Sequence, residues 1–412
     1  MEILVKNSNR KFLPVILGTD ANAYGMAKSF HKAYGITSLS LGKAPLLETK
    51  KSNIVTVQTF DHFDHDDTFA KYIEEVGKTY SAYYENLILI ACGDRYTELI
   101  VTHQALIDKY FVTNYIPNEM KLRLENKEDF YQICEEYGLD YPKTFIITKD
   151  NKDDFTLPFA FPVAAKASNS IEYVDLEFEG KKKGYRAESM EELKQILNAV
   201  YGAGYTGSMI IQDFIPGDDS TMYVLNSYSG KDGKVRMMCL GHCVSEDYTP
   251  AGIGNYNAIV QQANQEVYDR YQKFLEDMHY TGFSNFDMKY DVRDGKFKVF
   301  EINIRQGRSS YFTTASGCNI AQYLVEDLIE HKNTPTHYHD NPYLWLHVPS
   351  KLLLKYVSKN AYNEVKQLID QKKYDFTLLY ENDKSLFRAI MIRRFYHMAY
   401  DKYKKYYDAR GI

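Results

Sequence analysis

Cysteine is scarce in this chain: the 412 residues contain 5, an odd number without dense spacing. That excludes a disulfide framework and suits a reducing compartment. Long apolar runs are missing as well. Stretches such as LILIAC, Leu87 to Cys92, fall far short of the roughly 20 residues that cross a bilayer, so no transmembrane helix is expected. Neither sign of charge dominates, since 50 Lys+Arg against 55 Asp+Glu leave a formal net charge of −5. A nucleic-acid partner, which usually demands a strongly basic face, is therefore not expected. The N-terminal MEILVKNSNRKF lacks the apolar core and small-residue cleavage pattern of a signal peptide, so the expected location is the cytoplasm. No internal repeat and no low-complexity linker interrupts the chain. Tyrosine, by contrast, is abundant at 37 residues, which implies large amphipathic surfaces. The length suggests two to three domains at roughly 100–200 residues each.

The order of elements gives the fold class, α/β followed by α+β. FLPVILG, Phe12 to Gly18, is an apolar run closed by glycine, and the following TDANAYGMAKSFHKAYG spaces Ala27, Phe30 and Tyr34 as a helix. NLILIACGD and RYTELIVTHQALIDKYF repeat the strand-then-helix rhythm, so residues 1–117 read as an N-terminal parallel α/β domain. Its strand ends form one rim of a site, lined by Asp20, Asn22 and Tyr24, with helix capping as the other reading of Asp20. A new domain starts near Asn118: KEDFYQICEEY is a helix stopped by Gly138, and Pro142 leads into a strand. Short β-rich runs follow, FAFPVAAK, SMIIQDFIPG, MYVLNSY, VRMMCLGH and KFKVFEINI, interrupted by the helix SMEELKQILNAVYG. Mainly antiparallel sheets are expected there, with 118–207 and 208–330 as successive subdomains. Beyond His331 a Tyr-rich, helical extension is expected over 331–412.

The densest group of chemical side chains is FSNFDMKYDVRDGKFKVFEINIRQGRSS, Phe283 to Ser310. Read as a hairpin turning at Asp294 and Gly295, it places Asp287 on one strand, with Glu301 and Asn303 on one face of the next. Two carboxylates and a carboxamide converging in a sheet would repel or stay unsatisfied without a cation between them. Such hard oxygen donors suit Mg²⁺, which commonly takes phosphate oxygens as further ligands. A solvated hairpin face is the bland alternative. Arg305 extends the same alternation and would add a planar cation, unless it simply pairs with Asp287 or Glu301.

This arrangement resembles the ATP-grasp superfamily, whose members activate a carboxylate as an acyl phosphate and pass it to an amine or thiol. The resemblance implies an N-terminal parallel α/β domain, a mobile lid subdomain, a β-rich catalytic subdomain and here a helical tail. Lys127 and Lys166 stand where that family has its two phosphate-binding lysines. Gln212, Asp213, Phe214 and Ile215 match the hinge that recognises adenine, with Gln212 where Glu is commoner, and Asp219 matches the acid on the ribose. Ser168 and Ser170 open a basic, small-residue segment suited to a flap over the phosphates. Asp287, Glu301 and Asn303 carry over as Mg²⁺ ligands. Asn285 replaces an Arg found in many relatives, and Ile304 a common proline.

PVILGTDANAYGMAKSFHKAYG, ACGDRYTELI, KASNSIEY and EINIRQGRSSYF further resemble the D-aspartate ligase group, over roughly residues 10 to 330. That resemblance implies ATP-dependent joining of the β-carboxylate of D-aspartate to the lysine side chain of the peptidoglycan precursor UDP-MurNAc-pentapeptide. It implies Lys166 and Arg305 as catalytic residues, and Asp20, Asn22, Ser309 and Ser310 near the substrate, with loop capping as the alternative for the two serines. Another amino acid, or a non-catalytic nucleotide-binding module, remains the competing reading. His62 and His65 in DHFDHDD, and the thiols of CLGHC, read as a solvated loop and buried core. The basic, Tyr-rich tail from Leu386 to Arg410 reads either as a packed helix or as a peripheral membrane contact.

Overall fold

The computed structural model describes residues 4–249, 252 and 254–407. Two compact units emerge: Met1–Lys121, Asp218–Asp287 and Ile302–Ile412 form the larger, and Leu122–Gly217 with Met288–Glu301 the smaller. This partition is discontinuous where the sequence suggested four consecutive segments, and it carries Ser208 to Gly217 with the segment expected as a lid.

In the larger unit, Phe12–Leu17 is buried along its whole length, as a strand covered on both faces should be. It lies in a four-stranded parallel sheet in the order Val55–Thr59, Ser38–Gly42, Phe12–Leu17, Asn86–Ala91. Alternation divides its side chains between two cores. Leu13, Val15 and Leu17 join Phe69, Ile73 and Val76 of the helix Asp66–Tyr80, while Phe12 and Ile16 join Tyr24, Phe30 and Trp345. The strand order reverses beside Phe12–Leu17, so a crevice opens past the carboxyl ends of this strand and Asn86–Ala91.

The second sheet of this unit runs Gly282–Asp291, Met222–Ser229, Val235–Glu246, Tyr256–Gln261, Leu344–Leu346, Tyr374–Phe376. It is mainly antiparallel, with a parallel pair at its far edge. The segment beyond His331 thus carries its expected helices, Ser350–Tyr356, Lys359–Asp370 and Leu386–Tyr406, and adds three short strands to this sheet. None of the described helices is long and apolar enough to cross a membrane.

The smaller unit is an antiparallel sheet, Thr144–Ile147, Met209–Asp213, Val163–Ala167, Tyr185–Ala187. Leu193, Leu197 and Val200 of the helix Met190–Gly202 pack on Val163, Ala165 and Ile211. The helix Lys127–Tyr137 ends at Gly138, whose φ of 68° is the left-handed conformation that a glycine adopts without strain. The hairpin turns as expected at Asp294 and Gly295, where Gly295 N donates to Asp291 O at 2.8 Å.

Tyr24, expected at the rim, instead lies buried in the core beneath Arg388, whose guanidinium sits 4.3 Å from the ring centroid. Its hydroxyl donates to Asp383 at 2.8 Å, and Ser52 Oγ and Asn53 N donate to the same carboxylate. Arg388 Nε stands 3.0 Å from Asp383 and the side chain is 1% exposed. The first residues of the C-terminal helix are thereby fastened to the first helix of the chain. Asp383→Ala would leave Arg388 charged and unpaired, so urea unfolding should show a loss of about 3–5 kcal/mol.

Candidate active site

Lys166 ends the strand Val163–Ala167, whose residues 163, 165 and 167 are buried, so alternation turns the lysine to the opposite face. Lys127 opens the helix Lys127–Tyr137, which Asn126 caps by accepting from Glu128 N and Asp129 N. Lys127 Nζ lies 3.0 Å from Glu301 Oε2. One turn on, Tyr131 donates to Phe300 O at 3.0 Å and fixes the strand beside Glu301. Lys166 Nζ stands 5.8 Å over the Phe300 ring.

Two ammoniums therefore gather about one carboxylate. Desolvation, reinforced by repulsion from Lys127 and Lys183, lowers the Lys166 pKa to about 7, with Glu301 countering in part. Burial pushes the Glu301 carboxyl up, but Lys127 and Lys166 outweigh it and hold its pKa below the ordinary value. The Glu301 side chain is still 46% exposed. An ion pair so open to water stabilises the fold by only about 0–1 kcal/mol, so the cluster is poorly explained as a structural device. Its surplus positive charge suits a polyanion.

The hinge segment is largely committed to its own unit. Gln212 is buried and its Nε2 donates to Thr144 Oγ1 at 2.9 Å. Arg293 grips Asp213 through two hydrogen bonds, 3.0 and 2.8 Å. Arg186 and Lys289 lie 4.6 and 5.6 Å from the centroid of the Phe214 ring, and Ile215 is buried. The N–H groups of Asp213 and Phe214 bond to Lys143 O and Pro162 O. Ser168 is tied to Ser208 through its backbone N–H at 2.9 Å and its hydroxyl at 3.0 Å. Ser170 opens a short helix, Ser170–Val174, but its side chain lies outside the described part of the structure.

In the larger unit, oxygen-rich side chains form a connected row. Asn303 Nδ2 donates to Asp287 Oδ2 and Asn285 Oδ1, both at 3.1 Å, and Tyr256 donates to Asp287 Oδ1 at 3.0 Å. Asn285 in turn donates to Asn226 at 3.2 Å, and the buried Nδ2 of Asn226 has no partner among the described residues. Arg305 reaches Asn303 Oδ1 at 3.5 Å, but its main partner is neither Asp287 nor Glu301. The strand stops at Asn303, so alternation no longer applies, and Arg305 makes two hydrogen bonds, 2.6 and 3.0 Å, to Asp94 at the start of the helix Asp94–Thr102. Gln306 bonds to Ala91 O at 2.9 Å and receives Asn22 Nδ2 on its carbonyl at 3.0 Å. The loop after the strand is thus stitched to the crevice of the parallel sheet.

The remaining candidates are placed by local bonds. Asp20 caps the first helix, accepting from Ala23 N at 3.1 Å, and burial raises its carboxyl pKa. Ser310 closes its loop, taking Gly307 N and donating to Asn226, both at 2.6 Å, while Ser309 is buried beside it. Asp219 accepts from the Tyr248 hydroxyl at 2.6 Å and Glu246 N at 3.2 Å within the larger unit. Sequence reasoning missed Asp94, Asn226 and Gln306 as partners. Asp94 alone carried a signal, since it follows a buried strand at the first position of a helix. Outside this region, His62 and His65 belong to a loop leading to Asp66, and Cys239 and Cys243 are buried.

No family model matches the chain. The D-aspartate ligase of Enterococcus faecium (strain Aus0004) is 44% identical over 413 residues, covering 98% of this chain and 98% of that protein. Among solved structures, N5-carboxyaminoimidazole synthetase from Staphylococcus aureus complexed with ADP superposes with a TM-score of 0.59 at 12% identity, over 87% of this chain and 88% of that one. The biotin carboxylase domain of the Hydrogenobacter thermophilus 2-oxoglutarate carboxylase, in complex with MgADP and bicarbonate, gives 0.58 at 12% identity, over 81% and 73%. At such identities these structures establish the fold alone, which is ATP-grasp.

The lowered pKa of Lys166 has a measurable consequence in ligand-free protein. The unfolded chain binds its proton up to the ordinary 10.5, the folded chain only to about 7. The lysine's contribution to stability therefore rises with pH across that window and is least below it. Lys166→Met should remove that rise from urea unfolding measured against pH, and identical pH profiles for the two proteins would contradict it.

Proposed function

We propose, from the premise that the chain belongs to the D-aspartate ligase family and is an ATP-dependent carbon–nitrogen ligase of ATP-grasp fold, that it activates the β-carboxylate of D-aspartate as an acyl phosphate. The acceptor is the lysine side chain of UDP-MurNAc-pentapeptide, the products include ADP and phosphate, and the compartment is the cytoplasm. The observation that carries this reading is the pair Lys127 and Lys166 around Glu301, a partly exposed carboxylate with more cationic charge about it than it can use.

The residues fit the nucleotide and its metal. Asp287 and Asn303, joined by the 3.1 Å hydrogen bond from Asn303 Nδ2 to Asp287 Oδ2, carry hard oxygen donors, and Glu301 precedes Asn303 by two positions on the same strand. These are the proposed Mg²⁺ ligands, and the ion, when bound, supplies charge neutralisation at the phosphate oxygens. Lys127 and Lys166 hold phosphate oxygens as point charges, with Lys166 fully protonated once it faces an anion. A carboxylate approaching a phosphate is an anion meeting an anion, so this neutralisation is the main catalytic demand.

The flap, Ser168 to Tyr185, keeps water from the activated acid. It is braced by Tyr173, whose hydroxyl pairs with that of Tyr185 at 2.6 Å and bonds to Lys182 O at 2.8 Å. Arg305, oriented by Asp94 and 3.5 Å from Asn303 Oδ1, stabilises the oxyanion formed when the amine attacks. Asn22 and Ser310 shape the substrate side by anchoring the loop after the strand.

Phosphate release should require D-aspartate and the lysine-containing precursor together, with the condensation product visible by mass. L-aspartate and other amino acids should give little. Glu301→Ala should lower kcat by about 10²–10³-fold. Turnover with a different acid would displace the substrate reading, and absence of turnover with any pair despite tight nucleotide binding would favour a binding module.

A further inference from the structure

Within the larger unit, a cavity of about 300 Å³ lies beside the first helix. Such a volume is at the low end for small-molecule sites and far too small for a nucleotide-linked pentapeptide. Its walls come from distant parts of the chain: Asp20 after the first strand, Glu48, Asp247 after the Val235–Glu246 strand, Arg308 in the loop after the Lys296–Asn303 strand, and His347 with Lys402 from the C-terminal segment. Phe395 of the last helix supplies an apolar side, its ring 5.5 Å from that of His347.

Two features show that the fold does not complete this site by itself. His347 is 3% exposed, yet its buried Nδ1 has no hydrogen-bond partner among the described residues. Arg308 stands 3.9 Å from Asp247, beyond hydrogen-bond reach, although it lines the same cavity. Burial, with Arg308 and Lys402 near by, keeps the imidazole neutral. A buried nitrogen without a partner, beside a guanidinium held only by a loose ion pair to Asp247, costs stability unless something polar fills the space. Asp20 and Glu48 add carboxyl groups to the same lining, near enough for the Arg308 charge to act on both, while the guanidinium can take a carboxylate in a two-pronged grip. Cationic and acidic groups in one lining suit a zwitterion.

We infer that this cavity is the subsite for the α-carboxylate and α-ammonium of the donor amino acid, with Arg308 and His347 taking the carboxylate and Asp20 and Glu48 the ammonium. The inference rests on the reading that the donor is an amino acid. Both head groups are then anchored, and the side-chain carboxylate is the third point that fixes configuration. It also gives the segment beyond residue 331 a role in donor recognition.

The only tryptophan of the chain, Trp345, has its ring 6.2 Å from that of His347, so its fluorescence reports on the cavity without turnover. D-aspartate titrated into the full-length protein should change that signal saturably. Succinate, which lacks the ammonium, and β-alanine, which lacks the α-carboxylate, should not. Arg308→Ala and Glu48→Gln should each weaken aspartate binding and raise its KM by about 10- to 100-fold, with the KM for ATP unchanged. Arg308→Lys should recover part of the loss, which a merely misfolded loop would not show.

An unaltered aspartate KM in Arg308→Ala and Glu48→Gln, with ligation intact, would overturn the subsite and leave the ligase reading standing. If the protein ligates no aspartate but another α-amino acid perturbs Trp345 in an Arg308-dependent manner, the donor assignment falls and the subsite stands. A fluorescence signal that no α-amino acid changes would overturn it.

Discussion

Crowding two ammoniums against one carboxylate is the constraint on which the smaller unit is organised. Lys166 sits near the end of a strand whose alternate residues are core, and Lys127 at the first turn of a capped helix, so the backbone of each is fixed where its side chain reaches Glu301. The consequence is a lysine whose proton is loosely held near neutrality and a carboxyl whose proton is hard to keep. As a stabilising contact this is weak, because the carboxylate remains substantially in water. In the proposed role of phosphate receptor, both lysines already stand in position, and the charge on Lys166 is completed by the proton it takes up on binding.

The larger unit meets a different demand with different chemistry. Carboxamides and hydroxyls run from Ser310 through Asn226, Asn285 and Asn303 to Asp287, an oxygen-rich row in which each side chain orients the next. The strand ends after this row, and the following loop is secured to the parallel sheet by Arg305 on Asp94 and Gln306 on Ala91. The last helix is in turn secured through the buried Arg388 and Asp383 beneath Tyr24. The last helix packs on its own unit through Ile392, Ala399 and Tyr403.

Elements carried by local signals were legible in the sequence. The buried strands Phe12–Leu17 and Asn86–Ala91, the Gly138 stop and the turn at Asp294 and Gly295 are all set by residues within a few positions of one another. Lys127, Lys166 and Glu301 were found by pattern, and they do come together. What was not legible depends on chain closure. Arg305 was assigned to a face by alternation, but the strand ends two residues earlier and the partner, Asp94, lies 211 positions away. Tyr24 was placed on a rim because it follows a strand end, whereas its hydroxyl is claimed by a carboxylate 359 positions on. The N–H groups of Asp213 and Phe214 are used by neighbouring segments in the fold, which no local signal announces. The short strands beyond residue 331 carry no period of their own, since two or three residues are too few to show one.

The central claim is that the lysine pair awaits the charge of a nucleotide. It is tested most directly by calorimetric titration of MgADP at pH 8 in buffers of different ionisation enthalpy. Lys166, with its pKa near 7 when free, must gain its proton as the phosphates arrive, so binding should take up about one proton, and Lys166→Met should abolish the uptake. Tight binding with no proton uptake in the unsubstituted protein would contradict the account.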